Sequence, residues 1–190
     1  VGKAVAETLF GDYNPGGKLP VTFPSTVGQL PMAFPYRVKA WGGQSKKNDP
    51  NGWGQTRLVN PLYHFGHGLS YTTFEYNDLK ISPANPSVND TITISCTVKN
   101  TGNRDGDEVV QLYLRDQIAS VSPFDQLLRG FERVTLKKGE SRKVTFTINP
   151  KRDLEMLGLD NTWIVEPGVF KVNVGTSSVD IKLKGQFKLR

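Results

Sequence analysis

A chain of 190 residues, with 37% apolar, 22% charged and 10% aromatic side chains, is one domain and a fraction at roughly 150 residues per domain. This composition excludes a coiled coil, a collagen and a wholly disordered chain, and no run of about 18 apolar residues offers a membrane-spanning helix. The formal charge of +6 comes from scattered Lys and Arg, the densest groups being Lys46-Lys47, Lys137-Lys138 and Arg142-Lys143; without base-stacking aromatics interleaved on one basic face they read as solvated surface, so no nucleic-acid partner is expected.

Val1, Val5, Leu9 and Phe10 recur at near-helical spacing and Gly11 is a stop signal, so residues 1–10 read as a helix. No capping residue precedes it, and its short apolar face lacks partners in this chain. The pattern looks cut from something longer, and self-association through residues 1–10 is expected. The cluster Gly11-Asp12-Tyr13-Asn14-Pro15-Gly16-Gly17-Lys18-Leu19-Pro20 is a turn region, in which Asp12 is expected to satisfy its own backbone. Val21-Thr22-Phe23 reads as a short strand closed by Pro24. Residues 36–60 have little apolar periodicity and read as a long loop, of the kind that is functional or disordered. Order resumes at Pro61 and runs through His64, Gly66, His67 and Gly68 to Tyr71.

From residue 74 the signature changes to short alternating runs with turn signals between them. Strands are expected near 75–82, 91–100, 107–117, 127–136, 140–149, 168–175 and 179–189. Val110, Leu112 and Leu114 share one parity, as do Val144, Phe146 and Ile148, and Phe170, Val172 and Val174. Seven strands in this length predict a mainly β chain, a fibronectin type III or immunoglobulin-like β-sandwich. Thr91, Thr93, Ser95 and Thr97 should face outward, and Trp163 should cover one end of the core. Cys96 has no partner for a disulfide, and its parity with Ile92, Ile94 and Val98 places it in the core.

Several motifs resemble one family. Leu9-Phe10-Gly11-Asp12-Tyr13-Asn14-Pro15-Gly16-Gly17-Lys18-Leu19-Pro20-Val21-Thr22-Phe23-Pro24 is similar to the end of the second domain of family 3 glycoside hydrolases. Leu30-Pro31-Met32 fits the same family, as does the passage from Tyr63 to Phe74. Val98-Lys99-Asn100-Thr101-Gly102, the stretch from Gly106 to Val110, Leu128-Arg129-Gly130-Phe131-Glu132-Arg133-Val134 and Glu166-Pro167-Gly168-Val169-Phe170 resemble its fibronectin type III-like module. The order of these motifs covers essentially the whole chain. The resemblance implies that residues 1–73 are the remnant of an α/β domain with a long loop and linker, and that 74–190 are a complete sandwich. It implies a parent β-glucosidase of the bacterial three-domain type, periplasmic or secreted, with β-xylosidase as the neighbouring specificity. The rival reading is a free-standing polysaccharide- or protein-binding sandwich, which has no need of the first 73 residues.

Retaining glycoside hydrolysis takes two carboxyl groups about 5–5.5 Å apart, one ionised and one with a raised pKa. In the family both lie upstream of the segment that matches here, so no catalytic residue is assigned and the missing N-terminal catalytic domains are the implied partner. Local acids do not replace them. Asp105, Asp107 and Glu108 read as a solvated turn beside Arg104, and Glu75 and Glu166 flank strands without apolar shielding. With two His, one Cys and two Met, neither a metal site nor a cofactor is expected; His64 and His67 lack a third ligand and read as packing at the domain junction. Trp41 and Trp53, among Gln44, Asn48, Asn51, Gln55 and Arg57, are the candidate substrate-binding residues, because aromatic platforms with nearby amides suit a β-glucoside or oligosaccharide.

Overall fold

The computed structural model describes residues 1–30, 32–37 and 61–190. Trp41 and Trp53, and most of the expected 36–60 loop, lie outside the described residues.

Helix α1 spans Gly2–Phe10. It ends at Gly11, which adopts φ 82° and ψ 13° and donates its N–H to Thr8 O, a left-handed stop that favours glycine. No residue of α1 is buried. The 21–23 run does not become a strand; Phe23 forms only a single antiparallel bridge with Tyr63. Pro20 and Pro24 flank it too closely for a ladder to propagate.

The strands are β1 (Phe74–Ser82), β2 (Ile92–Asn100), β3 (Gly106–Asp116), β4 (Leu127–Leu136), β5 (Ser141–Ile148), β6 (Met156–Leu157), β7 (Trp163–Ile164), β8 (Gly168–Gly175) and β9 (Ile181–Leu189). A one-turn helix α2 (Pro150–Asp153) precedes β6, capped by the Asn149 side chain, which accepts from Lys151 N–H. The strands form antiparallel sheets of order β1-β2-β5 and β4-β3-β8-β9, with β6-β7 as a separate hairpin. Alternation supplies the core: Ile92, Ile94, Cys96 and Val98 with Val144, Phe146 and Ile148 from one sheet meet Val110, Leu112, Leu114, Val134, Leu136, Val172 and Val174 from the other. This is the β-sandwich that the strand pattern predicted. Where β4 crosses the core, Gly130 brings its backbone against the Phe146 ring; a Cβ there would stand 2.8 Å from Phe146 Cδ1.

Within the sandwich, the expectations for Ser95 and Trp163 require correction. Ser95 is buried, because a short side chain in a centre strand lies between the paired residues Lys80 and Thr145 on either side. Trp163 covers no end of the core. It is 67% exposed, because the 156–164 segment folds on itself as the β6–β7 hairpin and carries the indole outward.

Cys96 sits in the core as expected, and burial, with a smaller contribution from the Glu132 charge, pushes its thiol up to about 11. A thiol-alkylating reagent at neutral pH should therefore leave native protein unmodified and label it fully once denaturant opens the sandwich, as read by mass spectrometry. Rapid native labelling would contradict the buried placement.

Candidate functional site

The chemistry-bearing side chains gather where the first segment lies across the sandwich. β3 is buried on both faces. Its inner face carries Val110, Leu112 and Leu114; its outer face carries Gln111 and Tyr113, which are equally buried. The outer face is closed by Phe34 and Phe65, stacked at 4.4 Å, with Phe34 edge-on to Tyr113 at 5.8 Å. Gln111 Nε2 donates to Gly66 O at 3.2 Å and Thr176 O at 2.6 Å, and Tyr113 OH donates to Gln111 Oε1. Gly66, at φ 82°, lies so close to Gln111 that a side chain there would collide with its amide.

Residues 19–23 and 62–67 are clipped together by backbone bonds, Leu19 N to His67 O and Gly66 N to Leu19 O, both 2.8 Å. His67 stacks on Tyr63 at 4.9 Å, and burial followed by the neighbouring His67 charge lowers the pKa of His64. The histidines therefore belong to the packing of this junction. Among the described residues, no three His, Cys, Asp or Glu side chains gather as a metal site.

Asn14 ties the turn region to the sandwich: its Nδ2 donates to Asp105 O at 2.9 Å and its Oδ1 accepts from Tyr71 N at 2.8 Å. Arg104 leaves the acidic turn and donates to Gly11 O at 2.6 Å. Gly16 passes so near β3 that a Cβ on it would meet Asp107 Cβ at 2.6 Å.

The acidic cluster is not a solvated turn throughout. Glu108 is 4% exposed and its Oε1 lies 3.0 Å from Lys18 Nζ, itself nearly enclosed. Burial raises the pKa of the Glu108 carboxyl, and the Lys18 ammonium opposes that rise. Asp107 is bound by the Arg133 guanidinium; burial raises its pKa, but hydrogen bonds from Thr135 and Arg133 and the Arg133 charge outweigh it and hold the carboxyl below the usual range. Asp105 accepts the Lys138 N–H at 2.8 Å, and Glu166 accepts the Ser120 N–H at 2.9 Å. Each of these acids holds backbone or a cation. Lys18 and Glu108 meet only through the fold; the one sequence signal for the pair is an acidic residue within an apolar alternating strand.

Residues 1–71 match the glycosyl hydrolase family 3 C-terminal domain, and residues 108–178 match the fibronectin type III-like domain. The chain is 45% identical to a β-xylosidase of Formosa agariphila over 96% of its own length and 24% of that protein. It is 41% identical to a periplasmic β-glucosidase of Salmonella typhimurium over 99% of its length and 24% of that protein. Among solved structures, the β-glucosidase of Listeria innocua in complex with isofagomine superposes with a TM-score of 0.88 at 31% identity, covering 99% of this chain and 26% of that one. The β-glucosidase EmGH1 of Erythrobacter marinus gives 0.86 at 38% identity, covering 100% and 24%. The chain thus spans about a quarter of the relatives it matches. The two family matches follow one another along this chain, and the chain belongs to the family 3 glycoside hydrolases as a C-terminal portion.

Proposed function

We propose that this chain is the scaffold end of a retaining β-glucosidase, with residues 1–73 completing an α/β domain and 74–190 bracing it as a sandwich. The observation that carries the reading is the surface of the first segment. Leu9, Phe10, Val27 and Leu69 are 73%, 86%, 84% and 74% exposed, although residues 61–71 and 13–20 are anchored on the sandwich. Large apolar side chains left uncovered on and beside anchored stretches fit a packing surface for the rest of a domain. In isolation the same face, through residues 1–10, favours self-association.

The chemistry then resides in carboxylates of the preceding domains, and this chain supplies docking and, through Trp41 and Trp53, contacts to the sugar beyond the cleaved bond. The composition of the 36–58 stretch supports that last role. The naming of relatives as β-glucosidases and β-xylosidases supports a terminal β-linked glucose or xylose as substrate. The periplasmic relative supports a periplasmic or secreted location, and no helix among the described residues is long and apolar enough to cross a membrane.

The test is kinetic. The 190-residue chain should leave p-nitrophenyl β-D-glucoside and β-D-xyloside unhydrolysed, whereas the longer enzyme should turn one over and lose that activity when these residues are deleted. Within the longer enzyme, Trp41→Ala or Trp53→Ala should raise KM for longer glucosides. Turnover by the chain alone would refute the scaffold reading, and unchanged KM in both variants would remove the tryptophans from it.

A further inference from the structure

The sandwich also carries a concavity at whose edge Arg37 of the first segment stands. A cleft of about 530 Å³ opens between the 121–124 loop, β4, α2 and the β6–β7 hairpin. That volume lies in the range of small-ligand sites. Its walls include Phe124, Leu127, Met156, Leu157 and Trp163. Trp163 is 67% and Leu157 45% exposed, and they are cross-strand partners, so they present one continuous apolar step.

The charged lining is balanced: Arg37, Arg129 and Arg152 stand with Asp116, Asp153 and Glu155. Most of these groups have a use in the fold. Arg37 lies over the Phe124 ring at 4.6 Å and donates to Ser122 O. Arg152 forks onto Asp153 at 2.8 and 2.9 Å. Arg129 is different: it is half-buried, yet makes no hydrogen bond or ion pair to any described residue. Burial lowers its pKa, and only the more distant charges of Asp153 and Glu155 offset this. Its guanidinium lines the cleft with its donors uncommitted to the protein, so they are available to an acceptor that enters there.

The occupant must therefore accept hydrogen bonds from Arg129, donate to Asp153 or Glu155, and lay a flat apolar face on an indole. An anion fails against the carboxylates, and a purely apolar ligand leaves the guanidinium unpaired. A pyranose chain with equatorial substituents meets all three demands, since its C–H faces are flat and its hydroxyls both donate and accept. We propose that this cleft binds a neutral β-linked oligosaccharide, with Trp163 as the stacking platform and Arg129 as the hydroxyl-binding donor. This site lies outside the scaffold role proposed above, and its occupancy does not depend on any catalytic activity of the parent.

The experiment is calorimetric titration of the full 190-residue chain with cellotetraose and xylotetraose, with oligogalacturonate as the anionic comparison. Wild type should bind at least one neutral tetrasaccharide and prefer it to oligogalacturonate. Trp163→Ala should weaken that binding at least about tenfold, as truncation of an aromatic anchor does. Arg129→Gln should do the same, while Arg129→Lys keeps a donor and loses less. Trp163 is exposed, so its variant should melt with wild type. No binding by wild type, a preference for the anionic sugar, or neutral-sugar binding that survives either Trp163→Ala or Arg129→Gln would overturn the proposal.

Discussion

Replacing Lys18 by Met will lower the unfolding free energy by about 3–5 kcal/mol, because it strands the Glu108 carboxylate in a site from which water is excluded. Denaturant titration at neutral pH measures this. The loss should shrink in acid. Burial already raises the pKa of Glu108, and without the ammonium its folded-state pKa rises further. A raised carboxyl contributes its stability below its ordinary value and loses it as pH climbs through the raised one, so the variant recovers relative to wild type as pH falls. A second substitution, Glu108→Gln, should restore most of the loss at neutral pH, since the amide can still accept the Val109 N–H that Glu108 Oε1 now accepts at 2.8 Å. Strictly additive losses for the two changes would show that the pair is not energetically coupled.

The second large effect is expected at Asn100, whose side chain is wholly enclosed. Its Oδ1 accepts from Thr72 Oγ1 at 2.6 Å and Gly102 N at 3.1 Å, and its Nδ2 donates to Arg104 O at 2.8 Å and Leu136 O at 3.1 Å. One amide thus saturates the turn after β2, the end of β4 and the entry to β1. Asn100→Ala leaves four groups without this partner, Thr72 Oγ1 and Leu136 O buried and Gly102 N and Arg104 O half-buried, and should cost about 3–5 kcal/mol. Asn100→Asp should be no better at neutral pH, because a carboxylate has no donors for the two carbonyls. Thr72→Val removes a single bond and should cost about 1 kcal/mol. Thermal unfolding of the three variants gives the ranking; an alanine variant that melts with wild type would contradict the assigned network.

The strands were legible because a half-buried strand must alternate, and Val110-Leu112-Leu114 or Val144-Phe146-Ile148 do so without interruption. What escaped notice was non-local. Gln111 and Tyr113 occupy the outward parity of β3, which alternation alone would leave to solvent, yet Phe34 and Phe65 from the first segment cover that face. Glu108 read as part of a polar turn because Lys18 is remote in sequence. The β6–β7 hairpin has two residues per strand, too few for any period to register, so the sequence alone places Trp163 over one end of the core and not outward. Alternation puts Ser95 on the outer face of its sheet but does not tell that so small a side chain is shielded there. The family resemblance was readable from turn motifs such as Gly16-Gly17-Lys18, where Gly16 must permit close backbone approach to β3.

The doubly covered third strand means that this sandwich is not a portable cassette. A graft that begins at Phe74 would carry Gln111 and Tyr113 as a bare sticky stripe, with Gly66 O and the two phenylalanines left behind. Transplantation between enzymes should therefore take the 13–37 and 61–73 stretches along with it, and recombination points within them should be poorly tolerated.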